Sequence, residues 1–194
     1  VESISDPELW KVYARGKTGN ILGTIYPNWN VVEDKDFPNE DGIFWGLDFG
    51  YTNDPTALVK MCRIGESIFV HECSYTPGLS PTETVLLLKA NGWESGQPVY
   101  CEHDRDIIRQ LRQLSVLAIP AVKGPGSISA GIAKVKEFKM FYTYSSEHLK
   151  EELKRYVWIP DKSNGGLTNT PVDVYNHLLD AIRYGVYTNF YRGK

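Results

Sequence analysis

Two apolar runs in this sequence end on a carboxylate. Phe44-Trp45-Gly46-Leu47 stops at Asp48, and Val99-Tyr100-Cys101 stops at Glu102. A carboxyl group at the end of an apolar run costs free energy unless a hydrogen bond, a counter-charge or a cation compensates it. Asp48 is either a metal ligand or catalytic acid, or a residue that caps its own turn, and the stretch alone leaves both open. A third polar set lies near the end of the chain. Asp173, His177 and Asp180 are spaced i, i+4, i+7 and share one face if a helix runs from Val172 to Tyr187. On an isolated helix such a stripe faces water. The recurrence of carboxylates at strand ends, and an acidic helix face arriving after the sheet is complete, favour an oxygen-rich site instead. Such donors suit Mg²⁺ or Mn²⁺, with His177 acceptable to Mn²⁺, and two such ions can clamp the attacking and leaving oxygens of a phosphodiester. His71-x-Cys73 and Cys101-x-His103 form a competing set for zinc. Their spacing is not a strong zinc pattern, and small buried thiols explain the cysteines better.

These residues need elements to carry them. Ile43 to Phe49, Thr56 to Arg63 and Ser67 to Tyr75 read as three strands joined by short turns, hence an antiparallel meander. Ser80-Pro81 opens a helix that Gly92 closes. Pro98 to Glu102 is a fourth strand, Asp104 to Leu114 a helix, Val116 to Val122 a fifth strand and Ser127 to Met140 another helix. Phe141 to Tyr144 reads as a short strand and Ser146 to Lys154 as a helix. Tyr156 to Pro160 and Thr168 to Pro171 form a hairpin with a polar tip, ahead of the last helix. The expected fold class is α/β, with a mixed five-stranded sheet of three antiparallel and two parallel strands, flanked by helices. If the strands ending at Asp48 and Glu102 lie side by side and parallel, the two carboxylates meet at the sheet edge where open α/β folds carry their sites. Residues 1–41, broken by Gly16, Gly19, Gly23, Pro27 and Pro38, read as a lead-in to a domain spanning 42–194. Gly16-Lys17-Thr18 lacks the upstream glycine of a phosphate-binding loop.

At 194 residues and 42% hydrophobic content the chain has the size of one well-packed domain. No apolar run is long enough to span a bilayer. Three cysteines without CxxC spacing point to a reducing compartment. The net charge, 21 − 24 = −3, does not mark a general nucleic-acid binder. An acidic site that gathers metal ions contributes to that balance, and phosphate contact needs only a local basic stripe. Arg105, Arg109 and Arg112 share a helical face, and Lys123 follows the fifth strand.

Four segments, in order, resemble the C-terminal nuclease domain of the large terminase subunit of tailed double-stranded DNA bacteriophages. They are Gly46-Leu47-Asp48-Phe49-Gly50 with Asn53-Asp54-Pro55-Thr56-Ala57; Val99-Tyr100-Cys101-Glu102; Ala121-Val122-Lys123-Gly124 with Ser127-Ile128 and Gly131-Ile132; and Asn176-His177-Leu178-Leu179-Asp180-Ala181-Ile182-Arg183-Tyr184. The resemblance implies a ribonuclease-H-like fold and a metal-dependent endonuclease that cuts concatemeric viral DNA at packaging with two Mg²⁺ or Mn²⁺ ions. It implies Asp48, Glu102 and Asp180 as ligands, and His177 as either a ligand of the second ion or a residue that orients one. Lys123, Arg105 and Arg109 are the candidates for phosphate contacts. Glu102 departs from the family's usual aspartate, which leaves Asp104 and Asp106 as alternatives, although the strand-end position favours Glu102. The implied partners are double-stranded DNA, an N-terminal packaging ATPase domain, the portal protein and the small terminase subunit, in the host bacterial cytoplasm. Leu47 to Asn53 is also similar to the first phosphate loop of actin-like ATPases and sugar kinases, and a non-catalytic DNA-binding or motor-docking module is a further alternative.

Overall fold

The computed structural model describes residues 23–39, 41–50, 54–161, 163 and 165–191. Gly16 to Thr18, most of the segment read as a lead-in and Tyr51 to Asn53 lie outside the described residues. The strands are β1 (Asn30–Val32), β2 (Ile43–Asp48), β3 (Pro55–Ile64), β4 (Ser67–Pro77), β5 (Pro98–Cys101), β6 (Leu117–Pro120), β7 (Lys139–Thr143), β8 (Trp158–Pro160) and β9 (Leu167–Pro171). The helices are α1 (Pro81–Ala90), α2 (Arg105–Gln113), α3 (Ser127–Lys136), α4 (Glu147–Arg155) and α5 (His177–Asn189).

The main sheet has seven strands in the order β1-β7-β4-β3-β2-β5-β6, two more than the five expected. The meander β2-β3-β4 is antiparallel, and β5 and β6 add in parallel on the β2 side. The extra strands are β7, parallel to β4, and β1, parallel to β7. The helical reading of Ser127 to Met140 fails at its end because Met140 alternates with neighbours that pair with β4, so Lys139 and Met140 belong to β7. Strand β1 comes from the segment read as a lead-in. That segment also buries Ile25 and Tyr26, and the Ile25 N–H donates to the Tyr156 carbonyl at 3.0 Å. A separate antiparallel pair, β8-β9, stands between α4 and α5, as the hairpin reading expected.

Strand β2 runs through the middle of the sheet and is buried on both faces, so its side chains divide by the two-residue period of a strand. Trp45, Leu47 and Phe49 join an apolar cluster with Val85 and Leu88 of α1 and Ile108 and Leu111 of α2. Phe44 joins the other cluster, with Ile132 and Val135 of α3, Leu149 and Leu153 of α4 and Leu178, Ile182 and Val186 of α5. Gly46 falls on this second face. A Cβ there would stand 2.1 Å from the Ala181 carbonyl oxygen, so only glycine lets α5 lie directly on β2. The next residue on that face is Asp48.

Candidate active site

Strands β2 and β5 are parallel neighbours in the register Leu47↔Cys101, and the Glu102 N–H extends the ladder by donating to the Leu47 carbonyl at 3.0 Å. Asp48 and Glu102 therefore leave adjacent strands at the same level. Helix α5 crosses this end of the sheet. It begins at His177, not at Val172: Tyr175 has a φ of 55° and Asn176 is the N-cap, so the chain cannot be helical before them. Asp173 is consequently not on the helix, and the face predicted for three residues carries only His177 and Asp180. Both sit in the first turn, where the helix dipole favours negative charge.

Each carboxylate has a cationic or imidazole partner. His177 Nδ1 donates to Asp48 Oδ2 at 3.2 Å. Lys123 Nζ donates to Glu102 Oε1 at 3.0 Å. Arg183, almost wholly buried, grips Asp180 through both oxygens, Nη2 to Oδ2 at 2.9 Å and Nε to Oδ1 at 3.2 Å. Room for the stem of that side chain comes from Gly131 of α3, where a Cβ would stand 2.7 Å from Arg183 Cγ. Among the described residues no group of three His, Cys, Asp or Glu side chains is disposed to hold one ion as the side chains stand. Glu102 and Asp180 must exchange part of these partnerships to share one.

The electrostatics of the edge show the strain of collecting carboxylates. Asp48 is 8% exposed, and burial pushes its carboxyl up to about 6, with the charges of Asp180 and Glu102 adding to the rise and His177 opposing it. From 3.8 to about 6 the cost of ionising Asp48 is about 3 kcal/mol. Burial likewise raises Asp180 against the pull of Arg183. His177 is raised, chiefly by its hydrogen bond to Asp48. Hard oxygen donors whose ionised forms repel one another are the donor chemistry that a divalent cation satisfies. The set fits such an ion in kind.

The alternatives at the second strand separate by what their side chains do. Asp104 Oδ1 accepts from the N–H groups of Asp106 and Ile107 and caps α2, and Asp106 is an exposed partner of Arg109 at 3.1 Å. Glu102 alone of the three continues the β5 ladder beside Asp48. The zinc set does not assemble: His71 Nδ1 pairs with Thr143 Oγ1 at 2.8 Å, while Cys101 is fully buried in the apolar cluster between the sheet and α1 and α2. Arg105, Arg109 and Arg112 line an open groove with His103, the residue after Glu102 in sequence.

Three residues at this edge carried no assigned role in the sequence: Gly46, Arg183 and Glu152. Glu152 had a legible signal. It falls between Leu149 and Leu153 on the buried side of α4, where a charged residue demands a partner. Its partners are backbone: Oε1 and Oε2 accept from the N–H groups of Leu178 and Leu179 at 3.2 and 3.0 Å.

Residues 104–187 match the family described as Terminase RNAseH like domain, a span that includes His177, Asp180 and Arg183 but not Asp48 or Glu102. No curated protein sequence matches the chain. Among solved structures, the large terminase nuclease domain of bacteriophage SPP1, with bound Mn, is 23% identical with a TM-score of 0.72, over 84% of this chain and 97% of that one. The large terminase of the thermophilic bacteriophage D6E is 23% identical with a TM-score of 0.68, over 86% of this chain and 45% of its own, so the present chain spans less than half of that protein. The large terminase nuclease of thermophilic phage G20c, with bound magnesium, is 14% identical with a TM-score of 0.63, over 85% of this chain and 97% of that one. In sequence over its C-terminal part, and in its ribonuclease-H-like fold over most of its length, the chain resembles the nuclease domain of the bacteriophage large terminase.

Proposed function

We propose that this chain is a Mg²⁺- or Mn²⁺-dependent endonuclease that cuts concatemeric double-stranded viral DNA during genome packaging in the host cytoplasm. In this reading it works beside an N-terminal ATPase domain, the portal protein and the small terminase subunit. The observation that carries the reading is the Asp48 carboxylate at the end of β2, buried beside Glu102 and Asp180 of neighbouring elements and raised first by that burial and then by their charges. The metals bound to the similar nucleases of SPP1 and G20c support the choice of ions.

Asp48, Glu102 and Asp180 hold the ions, two in the full site. A bound divalent ion supplies an activated water and neutralises charge on the phosphodiester. His177 orients the Asp48 carboxylate through its hydrogen bond to Oδ2 and would leave Oδ1 for a cation. Arg183 holds the Asp180 carboxylate in place through both oxygens and opposes the effect of burial on it. Lys123, half-exposed beside Glu102, would be free to turn from that carboxylate to a DNA phosphate. Arg105 and Arg109, in the groove they line with His103, contact backbone phosphates of the duplex.

Plasmid nicking in Mn²⁺ tests the reading. The chain nicks supercoiled DNA in Mn²⁺ and not in EDTA, and Asp48→Ala abolishes the cleavage. Nicking by Asp48→Ala at the wild-type rate would overturn the assignment.

A further inference from the structure

Helix α5 brings His177 and Asp180 to the edge, yet the side chain of its N-cap does nothing to fix its start. The Asn176 side chain makes no capping hydrogen bond. Helices α1 and α2 use local caps: Ser80 forms a capping box with Glu83 on α1, and Asp104 caps α2. At α5 the work is done from another helix. Glu152 of α4 is 2% exposed and spends one oxygen on the Leu178 N–H and the other on the Leu179 N–H. Helix α4 is itself held in the same way. Its N-cap, Ser146, makes no side-chain cap, and Glu72 of β4 accepts the Leu149 N–H at 3.0 Å and pairs with His148 at 2.5 Å. Two successive glutamates thus link the central meander to α4 and α4 to α5.

Local Ser, Thr or Asp caps achieve similar satisfaction of helix N–H groups without burying a charge, and a buried carboxylate is expensive unless all its oxygens are engaged. What the Glu152 arrangement adds is a constraint from outside the helix. The two N–H groups it holds belong to the residues lying between His177 and Asp180. A carboxylate bonded to both fixes the rotation and height of the first turn of α5 against α4, independently of the loop that precedes it. We propose that Glu152 is a positioning residue of the active site, which sets the reach of His177 and Asp180 toward Asp48 and thereby the affinity of the site for its metal. This rests on the nuclease reading above.

The test is Mn²⁺ binding, followed by electron paramagnetic resonance of free Mn²⁺, with thermal unfolding of each variant measured alongside. Glu152→Asp keeps the charge but is one methylene too short to reach both N–H groups. Glu72→Asp makes the same change at the start of α4, one link further from the metal. Wild type binds Mn²⁺; Glu152→Asp weakens that binding by tenfold or more, and Glu72→Asp by less than threefold at a comparable loss of melting temperature. Glu152→Gln, which leaves one N–H facing an amide NH₂, weakens binding to a similar degree as Glu152→Asp, and it carries the test if Glu152→Asp loses its cooperative transition. Mn²⁺ affinity in Glu152→Asp equal to wild type, or equal to Glu72→Asp, would overturn the proposal by reducing Glu152 to a charge or to an ordinary cap. No Mn²⁺ binding by wild type would remove the nuclease reading and this inference with it, an outcome distinct from the first.

Discussion

The two faces of the sheet are built from different chemistry, although a single strand, β2, supplies both. On the face covered by α1 and α2, Trp45, Leu47 and Phe49 meet Val85, Leu88, Ile108 and Leu111. On the face covered by α3, α4 and α5 the apolar cluster is larger, but all three of the buried charged side chains among the described residues belong to this side: Asp48, Glu152 and Arg183. The apolar face is free to maximise packing. The other carries groups that cost free energy to bury and that are held by hydrogen bonds to backbone or to one another. The difference separates a supporting surface from a working one, and it is open to test by substitutions placed on either side.

The largest effect is expected where the working face admits α5. Gly46→Val drives a side chain into the Ala181 carbonyl, a backbone atom that cannot turn away. Overpacking of this kind costs ~1–3 kcal/mol, and here more because α5 must shift bodily. A fall in melting temperature together with loss of Mn²⁺ binding is the expected result; wild-type Mn²⁺ affinity in a folded Gly46→Val protein would show that α5 does not need this contact to complete the site. On the supporting face, Leu88→Ala should cost ~2–5 kcal/mol by leaving a cavity under α1. Its Mn²⁺ affinity, measured below the melting transition, should match wild type. A tenfold loss of affinity in Leu88→Ala would erase the distinction between the faces.

Asp48 sharpens the comparison in the opposite direction. Its carboxyl is raised to about 6 and that of Glu152 to about 7, both by burial first. Groups with raised folded values favour the folded state most at low pH, below their unfolded values near 4, and lose that contribution as pH climbs through 6 and 7. Without metal, therefore, stability falls from about pH 4 to pH 7 on their account, and Asp48→Asn is more stable than wild type at pH 7 by up to ~3 kcal/mol while losing cleavage. Calorimetric scans at pH 4 and pH 7 in EDTA check this: the advantage of Asp48→Asn should be present at the higher pH and vanish at the lower. Equal melting temperatures at pH 7 would mean that His177 fully offsets the burial of Asp48.

The smallest effect concerns the basic groove. Arg105→Glu or Arg109→Glu should weaken DNA binding by a few-fold, equally on unrelated sequences and less at higher salt, because exposed cations contact phosphates rather than bases. Loss confined to one sequence, seen in gel-shift titrations of several duplexes, would give the groove a reading role instead.

The sequence carried the working edge unevenly. Asp48 and Glu102 were legible because a carboxylate ending an apolar run is an anomaly that periodicity exposes, but the parallel pairing of β2 and β5 that brings them together entered only as a condition, which the register Leu47↔Cys101 meets. His177 and Asp180 were legible as a helical pair, but the start of their helix was not: the i, i+4, i+7 spacing drew Asp173 onto the helix, although Val172 to Asn176 are poor helix formers and Tyr175 is left-handed. Strand β1 was hidden because its partner β7 lies more than a hundred residues away, with register Asn30↔Phe141. Gly46 reads as a weak point in a strand until α5 is seen lying on it. Glu152 and Arg183 act through partners from other elements, and such pairings leave little trace in local spacing.

The central claim is that Asp48, Glu102 and Asp180 form one metal centre at the edge between β2, β5 and α5. Anomalous diffraction from crystals soaked in Mn²⁺ tests it directly. The account predicts a Mn²⁺ peak bonded to Asp48, with Glu102 released from Lys123 and Asp180 sharing its carboxylate between the ion and Arg183. A fully soaked crystal in which Asp48 keeps His177 as its one polar partner, and Mn²⁺ binds elsewhere or nowhere, would contradict it.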